Sequence, residues 1–67
     1  MSNPLKDALA REEGKLVRQK ANAEATVAVM EVLGDSAKER SKHDRQLQAI
    51  KDTQANIKKL KAACDKL

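Results

Sequence analysis

The residues best suited to chemistry in this chain are few: one histidine, His43, one cysteine, Cys64, and the run Ser41-Lys42-His43-Asp44, which holds the three residue types of a hydrolytic triad. A triad needs its serine oxygen and its imidazole within hydrogen-bond reach. On a helix, positions two apart point to different sides, so Ser41 and His43 could not share a proton. A metal ion needs three or four donors gathered in one place, and His43 and Cys64 fall near opposite ends of the second half of the chain. No metal site follows from them. With two glycines in all, the sequence also lacks a glycine-rich phosphate loop. His43 reads as a solvated or seam-edge histidine and Cys64 as a small, buried apolar residue. The chain is therefore expected to be no enzyme and to carry no cofactor, no metal and no small-molecule substrate.

Charge is the second chemical resource. Residues 1 to 34 carry five basic side chains (Lys6, Arg11, Lys15, Arg18, Lys20) and five acidic ones (Asp7, Glu12, Glu13, Glu24, Glu31), a net of zero. From Asp35 onward there are nine basic residues against five acidic, so the whole net charge of +4 belongs to the second half. Lys38, Lys42 and Arg45 share one helix face there, and Lys58, Lys59 and Lys61 form a basic cluster. These six are the candidate phosphate contacts, because a positive surface attracts a phosphate backbone through long-range steering. A plainer reading competes: basic residues near a helix C-terminus complement the macrodipole, and Asp7 with Arg11, Glu12 with Lys15, and Arg40 with Asp44 are ordinary surface pairings. The chain has no Phe, Tyr or Trp, so it offers no platform on which single-stranded bases could stack. If nucleic acid is the partner, the target is a duplex or a folded backbone.

The elements that must position these groups are helices. Pro4 suits a first helical turn, Ser2 or Asn3 can cap it, and good helix formers continue to Leu33 with only Gly14 dissenting. The stretch "EVLGDSAKER", residues 31 to 40, then interrupts the pattern. Gly34 fits a left-handed C-terminal position, Asp35 or Ser36 can cap a following helix, and Ser36 with Glu39 matches the S-x-x-E capping box. The sequence predicts helices over 4–33 and 36–67 joined by a turn at 34–35, each roughly 45 Å long at ~1.5 Å per residue. The fold class expected is all-α: an antiparallel, coiled-coil-like two-helix hairpin forming a single unit over residues 1–67. A continuous 60-residue helix in a parallel coiled coil is the competing architecture.

Folding the chain so that Leu33 faces Ser36 pairs residues whose numbers sum to 69. Leu5 then meets Cys64, Leu9 meets Leu60, Leu16 meets Thr53 and Gln19 meets Ile50, so apolar positions seven apart on both helices fall opposite each other. One layer is awkward, with Glu12 against Ile57. Near the turn the layers are Ala23 with Gln46, Thr26 with His43 and Met30 with Glu39, so the polar start of the second helix gives residues 23 to 33 little to pack on. Those residues are apolar nearly all round, and Ala21, Ala25, Ala28 and Val32 form a second small-residue stripe beside Val29. A helix apolar on several faces is normally buried on several faces. These five residues are the expected oligomer or partner interface, and a dimer of hairpins forming a four-helix bundle is the expected assembly. The sequence shows no apolar run of the ~20 residues that a membrane span requires, and a lone cysteine fits a reducing cytoplasm. The function expected is that of a self-associating interaction module, a small regulator, inhibitor or assembly factor whose protein partner the sequence does not name. The alternative is a nucleic-acid binder using the basic second helix.

Overall fold

A computed structural model describes residues 3–66, which form two helices packed against each other with no strand among them. Helix α1 spans Pro4–Leu33 and helix α2 spans Ala37–Asp65. Met1, Ser2 and Leu67 lie outside the described residues, and with them the capping role open to Ser2 and the last position expected of the second helix.

Each helix end has an identifiable local cause. Asn3 caps α1: its extended backbone leaves the side-chain Oδ1 free to accept a hydrogen bond from the Leu5 amide at 2.9 Å, and Pro4, which has no N–H to satisfy, follows directly. At the other end the Gly34 amide donates to the Met30 carbonyl at 3.0 Å, and the chain leaves the helix with Gly34 at φ 99°. A side chain at that φ would be strained, which is why glycine stands there. Ser36 then caps α2, its Oγ accepting from the Glu39 amide at 3.2 Å, and Asp35 reaches over the new first turn to Arg40 at 3.5 Å. Of the two caps open to the second helix, Ser36 is the one used, and the helix proper starts at Ala37.

The two helices form a narrow body with Cα extents of 49 × 17 × 12 Å. Their seam follows a strict four-three alternation. On α1 it runs through Leu5, Leu9, Glu12, Leu16, Gln19, Ala23, Thr26 and Met30; on α2 it runs through Glu39, His43, Gln46, Ile50, Thr53, Ile57, Leu60 and Cys64. Every one of these positions is buried or half-buried. The core is thin: among the described residues the buried apolar side chains are Ala23 and Ile57, joined by the buried Thr26 and Thr53. Thr26 satisfies its hydroxyl locally by donating to the Asn22 carbonyl at 3.2 Å. Glu12, the awkward member of its layer, keeps its carboxylate at the rim of the seam, where it accepts from the Asn56 side-chain amide at 3.5 Å. Gln19 and Gln46, in neighbouring layers, each bury a side-chain carbonyl oxygen that meets no donor among the described residues.

Candidate functional site

The seam divides the rest of the surface by a simple rule. Residues that immediately precede a seam residue lie along one edge of the hairpin, here the leading edge, and residues that immediately follow one lie along the other, the trailing edge. The remaining positions face outward. The grooves beside the seam obey this division on both helices at once. One groove gathers Arg11, Lys15 and Arg18 from α1 with Asn56 and Lys59 from α2, and a second, nearer the turn, gathers Asn22, Ala25 and Val29 with Lys42, all leading-edge residues. On the opposite side, Lys20, Glu24, Val27 and Glu31 meet Leu47, and Val27 and Glu31 meet Arg40 and Asp44 at the turn, all trailing-edge residues.

The two edges differ sharply in charge. The leading edge carries seven basic residues, Arg11, Lys15 and Arg18 on α1 and Lys38, Lys42, Arg45 and Lys59 on α2, against one acidic residue, Asp52, a net of +6. Six basic residues also stand on the trailing edge, but five acidic ones, Glu13, Glu24, Glu31, Asp44 and Asp65, reduce its net to +1. Among the described residues no leading-edge cation has a carboxylate within ion-pairing distance, and the one ion pair, Arg40 with Asp35, lies at the turn on the trailing side. Asp52 itself is engaged, accepting from the Gln48 side-chain amide at 3.0 Å.

Comparison with protein-family models, with curated proteins and with solved structures finds no match. The surface must therefore be read from its own chemistry.

The structure regroups the candidate phosphate contacts. Lys38, Lys42, Arg45 and Lys59 fall on the leading edge, whereas Lys58 and Lys61 fall on the trailing edge and are separated from the other four by the body of α2. In their place the fold brings in Arg11, Lys15 and Arg18 from the helix whose charge sums to zero. A count by segment hides these three; their four-three spacing, each one residue before a seam position, is the signal that marks them.

The candidate interface residues are all solvent-exposed in the single chain. Ala21 and Ala28 face outward from α1, while Ala25, Val29 and Val32 are on its leading side. Val32 is 81% exposed and its neighbour Leu33 80%, so the last turn of α1 presents large aliphatic side chains that the hairpin does not cover. A further apolar strip lies in the trailing-edge groove, where Val27 and Leu47 flank Ile50. Ser41, His43 and Asp44 diverge: His43 is half-buried in the seam, Ser41 faces outward and Asp44 lies on the trailing edge. Cys64 is a half-buried free thiol at the open end of the hairpin. No group of three or more His, Cys, Asp or Glu side chains is placed to hold a metal ion among the described residues, and no helix is long and apolar enough to cross a membrane.

Proposed function

We propose that this hairpin is a non-enzymatic interaction module that works as a homo-oligomer, with two copies packing into a four-helix bundle in the cytoplasm and presenting their remaining surface to a macromolecular partner. The observation that carries this reading is the mismatch between the core and the surface of the turn half. Two buried apolar residues are little to hold 64 described residues in order, while Val32, Leu33 and the stripe Ala21, Ala25, Ala28 stay in water. Ordering a chain costs roughly 1.5 kcal/mol per residue, and association that covers exposed apolar side chains offsets part of that cost.

Small residues on that stripe let a second helix approach closely. Two α1 helices laid antiparallel about a two-fold axis between Ala25 and Ala28 would set Ala21 of each against Val32 of the other, a self-complementary arrangement of small side chains that leaves the basic residues outside it. The experiment is a pair of substitutions. Ala28→Glu places a charge in the proposed interface, where burial would leave it unpaired, and should dissociate the oligomer and largely unfold the released hairpin. Ala55→Glu, on the outward face of α2, should change little. Light scattering and circular dichroism over a range of protein concentrations check both outcomes. A wild-type monomer that stays helical at high dilution, or an Ala28→Glu protein of unchanged mass and melting, would remove this reading.

A further inference from the structure

We infer that the leading edge is a docking surface for the sugar-phosphate backbone of a nucleic-acid duplex, gripped at two cationic clusters, one toward each end of the hairpin. The inference rests on the geometry of a single hairpin and not on self-association, so it names the partner of the module without depending on how many copies assemble.

The first support is that the cations of this edge stand next to one another and none of them is ion-paired among the described residues. Arg11, Lys15 and Arg18 follow each other at four and three residues, as do Lys38, Lys42 and Arg45. Like charges at these spacings destabilise a helix. On the trailing edge three of the four charged pairs at these spacings join opposite charges, Lys20 with Glu24, Arg40 with Asp44, and Lys61 with Asp65, and one, Lys58 with Lys61, joins like charges. Sixteen positions with seven cations, one anion and no ion pair among the described residues form an edge whose positive charge is not met by an ion pair within the chain. A polyanion would meet it.

The second support is the placement of the two clusters. Arg11, Lys15, Arg18 and, across the seam, Lys59 surround the groove toward the open end. Lys38, Lys42 and Arg45 lie toward the turn. With partner numbers summing to 69, the centres of the two clusters are separated by about fourteen residues along the axis, roughly 20 Å at ~1.5 Å per residue. Between them, over about five residues of the axis, the edge carries only the short, uncharged Asn22 and Ala49, while Asn56 and the hydrogen-bonded Asp52 lie at the level of the first cluster. Two positive clusters spaced along one straight edge suit the phosphates that a duplex backbone presents in succession, and long lysine and arginine side chains let each cluster reach them.

The third support concerns the alternatives. The chain has no aromatic residue, so single strands would find no stacking surface. A lipid surface is normally engaged by bulky apolar side chains beside the basic ones, but the apolar residues on this edge are alanines and Val29, with Val32 at its turn end. With phosphate contacts and few side chains able to read base edges, the binding should be indifferent to sequence.

The test is fluorescence anisotropy with a 24-base-pair DNA duplex of arbitrary sequence, titrated at salt concentrations from 50 to 300 mM, beside a 24-nucleotide single strand and vesicles containing phosphatidylserine. Two quadruple variants of identical net charge decide between the edge and the overall charge: Arg11→Gln, Lys15→Gln, Lys42→Gln and Arg45→Gln on the leading edge, and Lys20→Gln, Lys51→Gln, Lys58→Gln and Lys61→Gln on the trailing edge. The expected result is a duplex affinity that falls steeply with salt, with each phosphate contact adding about 0.9 to the log-log slope. The leading-edge variant should lower that slope by about 3 to 4 and weaken binding at least tenfold more than the trailing-edge variant. Circular dichroism confirms that both remain helical; should the quadruple variant lose helicity, the two double variants, Arg11→Gln with Lys15→Gln and Lys42→Gln with Arg45→Gln, are read instead, each lowering the slope by just under 2. Equal weakening by both quadruple variants, absence of duplex binding at 50 mM salt, or equal or tighter binding of the single strand or the vesicles would each overturn the inference. Light scattering on the same samples records mass separately, so loss of self-association and loss of duplex binding are distinguishable.

Discussion

The leading and trailing edges of this hairpin share the same two helices, the same seam and nearly the same number of basic residues, seven against six, yet one carries +6 and the other +1. The difference lies in where the carboxylates sit. On the trailing edge, acids stand four residues from bases and neutralise them along the helix; on the leading edge the bases stand four and three residues from one another. Electrostatic character here is thus a property of an edge rather than of a helix. The first helix, neutral by count, gives three cations to the positive edge and three carboxylates to the mixed one.

The largest effect that would break the comparison acts on what both edges have in common. Ile57 is the most deeply buried large aliphatic residue of the seam, in the layer that the sequence pairs with Glu12. Ile57→Ala should cost about 2 to 4 kcal/mol, a large share of the stability of a hairpin with so thin a core. Thermal melts followed by circular dichroism should show the loss. Duplex binding by the leading edge and self-association by the turn half should then fail together. If Ile57→Ala melted as the wild type does, the seam would not be what holds the edges apart, and the division of the surface would lose its basis.

A smaller effect, of opposite sign, comes from the polar layers beneath both edges. Gln46 buries an oxygen that meets no donor among the described residues, and its layer partner Ala23 is small. Leaving such an oxygen unpaired costs about 1 to 3 kcal/mol, so Gln46→Leu should raise the stability of the hairpin by about 1 to 2 kcal/mol with little change in duplex binding. Chemical denaturation checks the gain. A loss of stability would mean that the Gln46 oxygen contributes a hydrogen bond in the folded protein. A gain accompanied by a change in mass would mean that polar layers restrain the chain from other pairings.

Much of the fold was legible because its punctuation is local. Pro4, Gly34 and Ser36 act on the few residues beside them, and the seven-residue repeats of Leu9, Leu16, Ala23 and Met30 and of Ile50, Ile57 and Cys64 fix the seam once the turn is placed. The candidate surface was legible only in part. Lys58, Lys59 and Lys61 are neighbours in sequence and read as one cluster, but a helix turns about 100° per residue, so Lys59 joins the leading edge while Lys58 and Lys61 join the trailing one. Conversely, Arg11 and Lys59 are far apart in sequence and share a groove. Segment counts average over a helix and cannot register this; position relative to the seam can. The carboxylate of Glu12 was a conflict on paper because a layer assignment places a residue but not the end of its side chain, which here reaches the rim and meets Asn56.

The finest test of the comparison leaves the seam untouched and exchanges the character of one position. Lys15 stands between Arg11 and Arg18 on the leading edge and is solvent-exposed. Lys15→Glu replaces two like-charge neighbours with opposite-charge ones, at i−4 and i+3, and turns the pairing with Glu12 at i−3 into a like-charge one; each pairing is worth about 0.2 to 0.5 kcal/mol, so one reversal remains as the net gain. The substitution should therefore stabilise the hairpin by about 0.5 to 1 kcal/mol at low salt while weakening duplex binding, since one cationic cluster loses its central charge. The mirror change, Glu24→Lys on the trailing edge, sets a cation four residues from Lys20 and should destabilise by a few tenths of a kcal/mol. Both effects should fade as added salt screens exposed charges. Melting curves at 20 mM and 500 mM salt decide the matter. If Lys15→Glu were neutral or destabilising at low salt, the cations of the leading edge would not be in mutual strain, and the claim that this edge holds positive charge unmet by ion pairs in the chain would fail.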